Sequence, residues 1–145
     1  MQKINIVCVG KIKEDYLRAA LAEYLKRLSR FAKVEVIELA EGKTLSDEAP
    51  HILKSAKGKI LALCVEGKKL SSEQFAAEIK TLVDKGEEFS FIIGSSCGLS
   101  DEVKSRADYR ISFSNMTFPH QLMRVILSEQ IYRAFMINSG SEYHK

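Results

Sequence analysis

Apolar and polar positions follow two periods in turn along the chain, and this alternation predicts strands separated by helices. Five short, largely apolar runs predict β-strands: 3–11, 33–40, 59–67, 89–94 and 109–114. Apolar residues three and four positions apart predict four helices: 14–28, 71–86, 100–107 and 119–138. The polar stretch 41–59 contains Pro50 and predicts only a short helix near 51–56. This order predicts one α/β domain, residues 1–145, built on a layered, mostly parallel sheet.

Size and composition agree with one globular domain of ordinary kind. The chain has 145 residues, of which 46% are hydrophobic and 28% charged. No apolar run approaches the roughly 20 residues of a membrane helix, and the N-terminus has no signal-peptide cleavage pattern. We therefore expect a cytoplasmic protein without a membrane partner. The net charge of +3 permits a nucleic-acid partner without demanding one.

The cysteines and histidines predict no metal site. Cys8, Cys64 and Cys97 form no C-x-x-C pair, and no histidine stands at metal-ligand spacing from them. Cys8 and Cys64 lie inside apolar runs, which predicts buried, reduced thiols.

The turn Gly94-Ser-Ser-Cys-Gly98 follows a strand and resembles the G-x-S-x-G elbow of a serine hydrolase. Ser96 or Cys97 would then be the nucleophile, and Ser96, Asp108 and a histidine occur in the chain order of a hydrolase. Too little chain follows to place an acid and a histidine on separate loops, and the oxyanion segment is missing. We favour a glycine turn that lets a ligand approach the backbone at the carboxyl edge of the sheet.

The last helix is apolar almost all round its axis. His120, Gln121, Arg124 and Ser128 form its main polar stripe, and Glu129 and Arg133 form an i,i+4 pair. Such a helix has to be covered on more than one side. A homodimer through this C-terminal helix is the interpretation we favour, and a central helix within one subunit is the alternative.

Longer motifs carry a family resemblance. They are VGK at 9–11, EYLKRL at 23–28, EGKxLSSE at 66–73, IGxxxG at 93–98, SxxTFPHQLxRVxLxEQxYRA at 114–134 and the terminal YHK. Together they span nearly the whole chain and resemble the RlmH family, which are SPOUT-class methyltransferases acting on a pseudouridine of large-subunit ribosomal RNA. The resemblance implies a C-terminal trefoil knot, a homodimer, S-adenosylmethionine as methyl donor, and ribosomal RNA in the assembled ribosome as substrate.

The resemblance also implies where the donor binds. The implied donor-contacting residues are Leu63, Gly94, Phe113, Ser114, Asn115, Met116, Thr117 and Phe118. The family more often has a second glycine where this chain has Ser95. If that position needed left-handed backbone angles, Ser95 would cost about 1 kcal/mol.

Transfer to N3 of pseudouridine needs alignment, a dry pocket and the loss of the N3 proton. The candidate residues for this chemistry are His120, Arg124, Arg133, Tyr143, His144 and Lys145. His120 could equally serve as a cap at the start of the last helix, beside Pro119. Arg133 could simply form an ion pair with Glu129. The tail could simply fray, although the resemblance implies that it orders over the donor site of the partner subunit.

RNA contacts are less clear from the sequence. Basic residues cluster in and before the first helix, at Lys11, Lys13, Arg18, Lys26, Arg27 and Arg30. A solvated helix face is the simpler explanation of most of them. A protein that binds adenosylmethionine and RNA without catalysis, and a small hydrolase using the glycine turn, are the two alternative functions.

Overall fold

The structure is a computed structural model that describes residues 1–96 and 98–144. Strands and helices alternate along it, as the sequence predicts. The elements are β1 (Gln2–Val9), α1 (Asp15–Leu28), β2 (Ala32–Leu39), α2 (Leu45–Ser55), β3 (Lys59–Lys69), α3 (Ser72–Asp84), β4 (Phe89–Ile93), α4 (Asp101–Arg106), β5 (Tyr109–Ser112) and α5 (His120–Asn138).

The strands form one parallel sheet in the order β2-β1-β4-β3-β5. Every residue of β4 is buried, because β1 and β3 flank it and helices cover both faces. The continuous apolar run FSFII, which predicted a strand, is typical of a central parallel strand buried on both faces.

Helices α1, α3 and α5 cover one face of the sheet, and α2 and α4 cover the other. Alternate residues of β1 show the division, because Ile4 and Ile6 join the first core while Val7 and Val9 join the second. The result is a three-layer α/β/α molecule. No helix among the described residues is long and apolar enough to cross a membrane.

Helix α2 corrects the prediction for the polar stretch 41–59. It begins at Leu45, well before the short helix near 51–56 that the sequence predicts. The Thr44 hydroxyl accepts from the Asp47 amide at 3.2 Å, and the Asp47 carboxylate accepts from the Thr44 amide at 3.2 Å. This capping box starts the helix, and Pro50 lies inside it. Because proline is rare inside helices, Pro50 led the sequence to predict too short a helix. The buried face of α2 includes Ala49 and Ile52.

A buried polar group fixes the register between β1 and β4. Asn5 is paired with Ser90 in the sheet, and its Nδ2 donates to Ser90 Oγ at 3.1 Å and to Glu88 Oε2 at 2.8 Å. Ser90 Oγ donates in turn to the carbonyl of Lys57 at 2.6 Å. Sliding either strand would leave these buried groups without partners, so the network specifies one register.

Helix α5 packs against α1, α3 and β4. Its inward residues Leu127, Ile131 and Ala134 are fully buried in the core. Packing within one chain therefore explains part of the apolar character of α5, as expected for a central helix within one subunit. A half-buried line of residues along α5, which we call the outer stripe, consists of Leu122, Ile126, Glu129, Arg133 and Met136. Leu122 also packs against Ile12, Leu17 and Leu21.

Candidate functional site

The segments that follow or interrupt β3, β4 and β5 meet at the carboxyl edge of the sheet. They enclose a cleft of about 670 Å³, lined chiefly by 63–66, 93–96, 98–99, 111–114 and 116–120. This is the edge where open parallel sheets bind ligands. The donor-contacting residues that the family resemblance implies lie on these same three segments.

The implied donor residues come together in this cleft. The lining residues include Leu63, Gly94, Phe113, Ser114, Met116, Thr117 and Phe118. Asn115 lies in the same loop but is exposed and does not line the cleft. Ser112 Oγ donates to the Ser114 carbonyl at 3.0 Å, and the Met116 amide donates to Ser114 Oγ at 2.9 Å, so the loop folds back on itself.

A bulge in β3 forms one wall of the cleft, which the sequence analysis missed. Leu63 and Lys68 both pair with Ile111 of β5, so residues 64–67 leave the ladder between them. A Cβ on Gly67 would lie 2.7 Å from the backbone N and C of Ile111. Only glycine allows this approach, and the bulge turns Cys64, Val65 and Glu66 into the cleft.

The glycine turn forms a second wall. A Cβ on Gly94 would lie 2.3 Å from the carbonyl oxygen of Gly98, so Gly94 permits the close approach of two backbone segments. Gly98 has the left-handed angle, with φ of +89°, whereas Ser95 has a negative φ. The serine in place of the family's second glycine therefore carries no backbone strain. Cys97 lies outside the described residues.

Charged groups and a thiol line the same cleft. Lys104 of α4 pairs with Glu66, and this hydrogen bond lowers the pKa of Glu66 and raises that of Lys104. Burial raises the pKa of the Cys64 thiol, and the Glu66 carboxylate adds to the effect. Cys64 is half-buried, which corrects the prediction of a fully buried thiol, whereas Cys8 is fully buried as predicted.

His120 faces the cleft at the first position of α5. The residue before it, Pro119, is the N-cap and makes no side-chain capping bond. A Cβ on Gly10 would lie 3.8 Å from Nε2 of His120 and 3.2 Å from Oε1 of Glu41. The imidazole therefore lies between the cleft and the end of β1.

Arg124 has no exposed surface and does not line the cleft. Its Nη1 pairs with Glu38 Oε2 at 2.7 Å, and its Nη2 donates to the carbonyls of Val9 and Gly10 at 3.1 and 2.7 Å. The guanidinium thus joins α5 to the ends of β1 and β2. Arg124 is one helical turn from His120 along α5.

The C-terminal residues form a second cluster on α5. Arg133 Nη2 pairs with Glu129 Oε2 at 2.8 Å, and Arg133 Nη1 donates to His144 Nδ1 at 2.9 Å. The Tyr143 hydroxyl donates to Glu129 Oε2 at 2.9 Å. Burial and this hydrogen bond raise the pKa of Tyr143 to about 12. Nε2 of His144 donates to Glu73 at the start of α3.

The tail cluster lies far from the cleft of its own chain. Arg133 is 13 positions beyond His120, which corresponds to roughly 20 Å along the helix. The structure therefore separates the candidate residues into two groups, His120 at the cleft and Arg133 with Tyr143 and His144 at the other end of α5. Lys145 lies outside the described residues.

The fold argues against the hydrolase alternative. Asp108 precedes β5, and its Oδ2 accepts from the Ile60 amide at the start of β3 at 2.8 Å. These are the amino ends of the strands, whereas Ser96 lies beyond the carboxyl end of β4. Asp108 and Ser96 are at opposite edges of the sheet. Within the described part of the chain, no three His, Cys, Asp or Glu side chains are grouped to hold a metal ion.

The molecule has a parallel sheet with a cleft at its carboxyl edge. It is therefore of the class of α/β proteins whose small-molecule site lies between strand ends. The family model described as "Predicted SPOUT methyltransferase" matches residues 2–144. The chain therefore belongs to the SPOUT methyltransferase family, and it is a methyltransferase.

Full-length relatives agree with this family. "Ribosomal RNA large subunit methyltransferase H" of Clostridioides difficile (strain 630) is 51% identical, with 98% of this chain and 99% of the relative covered. The protein of the same name from Lactiplantibacillus plantarum is 50% identical over the same shares. That of Bifidobacterium adolescentis is 49% identical, over 99% of both chains.

Two solved structures share the fold at low sequence identity. A "probable methylase family protein" from Haemophilus influenzae Rd KW20 superimposes with a TM-score of 0.55 at 11% identity, covering 94% of this chain and 66% of that one. TrmJ from Z. mobilis ZM4 superimposes with a TM-score of 0.51 at 12% identity, covering 92% and 70%. These similarities concern the fold alone.

Proposed function

We propose that the protein transfers a methyl group from S-adenosylmethionine to N3 of a pseudouridine in large-subunit ribosomal RNA, on the assembled ribosome in the cytoplasm. The observation that carries this proposal is the 51% identity, over almost the entire length, to a large-subunit ribosomal RNA methyltransferase. The cleft at the carboxyl edge then supplies a location for the chemistry.

The cleft suits the methyl donor. Its volume of about 670 Å³ lies within the range of small-molecule sites, and Leu63, Phe113 and Phe118 provide apolar walls for an adenine ring. Gly94 and Gly98 have no side chains, so the backbone groups beside them are accessible to a polar ligand. When bound, S-adenosylmethionine supplies an electrophilic methyl group.

The residues of the chain have to align the target base and receive its proton. As the new carbon–nitrogen bond forms, the carbon–sulfur bond breaks and the N3 proton passes to a base. His120 is the imidazole that lines the cleft, and we assign it this role. Arg124 holds the start of α5 against β1 and thereby fixes the position of His120.

We further propose a homodimer formed by the outer stripe. In a two-fold contact with antiparallel α5 helices, Leu122, Ile126 and Met136 of the two subunits cover one another. This arrangement brings the C-terminal end of one helix beside the N-terminal end of its partner. The tail of one subunit then lies next to the cleft of the other subunit. The cleft of its own subunit is roughly 20 Å away along α5.

Family membership also supports the trefoil knot. The chain passes from β4 through α4 to β5 at the sheet edge, and α5 then returns to pack under β4. We propose that this return path is threaded through the loop that precedes it.

Methyl transfer to ribosomes tests the proposed function. Labelled S-adenosylmethionine is incubated with ribosomes that lack the modification, with separated large subunits and with naked ribosomal RNA. We expect label in large-subunit RNA from intact ribosomes, at N3 of a pseudouridine by mass spectrometry. His120→Ala should lose most of the rate, whereas His51→Ala, on α2 across the sheet, should keep it. Donor binding without label in any sample would favour the non-catalytic binding protein.

Mixed subunits test the composite site. A chain truncated after Glu142 lacks Tyr143 and His144, and a His120→Ala chain has a defective cleft. We expect each to be inactive alone and the mixture to regain activity, because one cleft in the mixed dimer meets an intact tail. An inactive mixture would show that the tail acts within its own subunit, and near-normal turnover by the truncated chain would remove the tail from the mechanism.

A further inference from the structure

The segment between β1 and α1, residues 10–14, is held in place by hydrogen bonds of its backbone to three neighbouring elements. We call it the lysine loop. The Gly10 amide donates to the Leu39 carbonyl at 2.6 Å, the Ile12 amide to Glu38 Oε2 at 3.1 Å, and the Lys13 amide to Gln121 Oε1 at 3.0 Å. The carbonyls of Gly10 and Ile12 accept from Arg124 and Arg18 at 2.7 and 2.6 Å.

The side chain of Ile12 completes this attachment. It is 4% exposed and packs against Leu17 and Leu21 of α1. Loops usually run over the surface with higher mobility than the elements they connect. This loop is instead fixed by its backbone hydrogen bonds and by the buried side chain of Ile12.

The side chains that the loop presents to solvent are two lysines. Lys11 and Lys13 are both exposed, and neither makes an ion pair or hydrogen bond through its side chain within the described residues. Other lysines of the chain, such as Lys80 and Lys104, are paired with carboxylates. Glu14 and Glu41 are exposed as well, and the Glu38 carboxylate, which binds the Ile12 amide, is paired with Arg124.

The lysine loop borders the cleft. The backbone of Gly10 approaches His120, which lines the cleft, and the amide of Lys13 is bound to the next residue of α5, Gln121. A nucleotide placed in the cleft would therefore have its flanking backbone beside the two lysines.

We propose that Lys11 and Lys13 bind phosphates of the RNA strand next to the target nucleotide. This inference rests on the proposed function. Lysine is a compact cation that binds phosphate as a point charge. Because the loop backbone is already fixed, little conformational entropy is lost when the phosphates bind. Phosphate contacts set the position of a nucleic acid without reading its sequence, which is what delivery of one base to a cleft requires.

The test compares two double variants that remove equal charge. Lys11→Ala with Lys13→Ala alters the loop, and Lys54→Ala with Lys57→Ala removes two exposed lysines near the end of α2, across the sheet. Methyl transfer and sedimentation with ribosomes are measured between 50 and 300 mM KCl, roughly the range in which phosphate contacts are screened. Donor binding by calorimetry and the urea midpoint report on the fold and the donor site.

We expect the loop variant to have a severalfold higher KM for ribosomes, with kcat and donor binding close to wild type. The slope of log affinity against log salt should decrease by about 1 for each lysine removed. The control variant should keep the wild-type slope. Equal KM and slope in the two double variants would overturn the inference.

The outcomes separate this inference from the proposed function. Wild-type protein that binds ribosomes with the expected salt slope, without transferring methyl, would refute the proposed function and keep the phosphate contacts. If the wild-type protein transfers methyl and the loop variant behaves as the control variant does, the phosphate contacts are refuted and the proposed function is kept. Wild-type protein that neither binds nor modifies ribosomes would refute both.

Discussion

Gly10 shows how a residue without a side chain organises the rim of the cleft. Its φ is +91°, in the left-handed region, and its carbonyl accepts from the buried Arg124 at 2.7 Å. A Cβ at this position would lie 3.2 Å from the Glu41 carboxylate, tighter than ordinary contact, and 3.8 Å from the His120 ring. Both the backbone angle and the neighbouring side chains therefore favour glycine.

Substitution of Gly10 should affect activity more than stability. Gly10→Ala places a left-handed alanine beside Glu41 and the His120 ring, which costs about 1–2 kcal/mol and crowds both side chains at the rim of the cleft. We expect a moderately lower urea midpoint and a large loss of kcat. Gly86→Ala is the matched control, because Gly86 has φ of +68° and its Cβ would meet nothing within 4 Å. Equal losses of kcat in the two variants would contradict this account.

The sequence alone could not show whether Arg124 takes part in the chemistry or holds the fold together. On a helical wheel it shares the polar stripe with His120, and only packing shows that it has no exposed surface. We expect Arg124→Met to lower the free energy of unfolding by roughly 3 kcal/mol, because Glu38 and two carbonyls lose their partner. Lys80→Met, which breaks the exposed pair with Asp84, should cost less than about 1 kcal/mol. Urea denaturation measures both.

At the scale of elements, periodicity predicted the strands and most helices because each has one period over its whole length. The two elements it described poorly depend on distant residues. Helix α2 contains Pro50, and its beginning is determined by the Thr44 capping box. The bulge at 64–67 exists because β5 lies beside β3, and a sequence does not show which strands are neighbours. Gly67 in the EGK motif was the one available signal.

The tail is an element whose attachment depends on pH. The hydrogen bond from His144 lowers the pKa of the Glu73 carboxyl below its ordinary 4.5. A lowered pKa in the attached state means that this contact stabilises the tail fully above about pH 4.5. The stabilisation is lost as the pH falls through the lowered pKa and Glu73 becomes protonated.

NMR can follow this release. We expect the ring-proton shifts of His144 to change below about pH 4.5, beyond the change of a free histidine peptide, as the tail leaves Glu73. Glu73→Gln should abolish that step, and Glu78→Gln, on the same helix, should leave it in place. A step that persists in Glu73→Gln would assign it to another group.

At the scale of the whole molecule, the outer stripe determines the oligomeric state that we propose. Ile126 lies near its middle and is half-buried in the single chain. Ile126→Arg places a charge in the proposed two-fold contact, so we expect a folded monomer by sedimentation and a large loss of methyl transfer. Tyr16→Arg, at a residue of α1 that is 71% exposed, should leave the mass and the rate unchanged. A dimeric Ile126→Arg protein would exclude this contact.

The pairing of β1 with β4 has a consequence for how the protein is made. Asn5 and Ser90 are neighbours in the sheet and 85 residues apart in the chain. At the usual pace of synthesis, the first strand leaves the ribosome on the order of ten seconds before its partner. During that delay INIVCV, buried in the folded sheet, is exposed and prone to aggregate. We therefore expect slower translation before Phe89 to lower the soluble yield, and chaperones that shield exposed apolar segments to restore it.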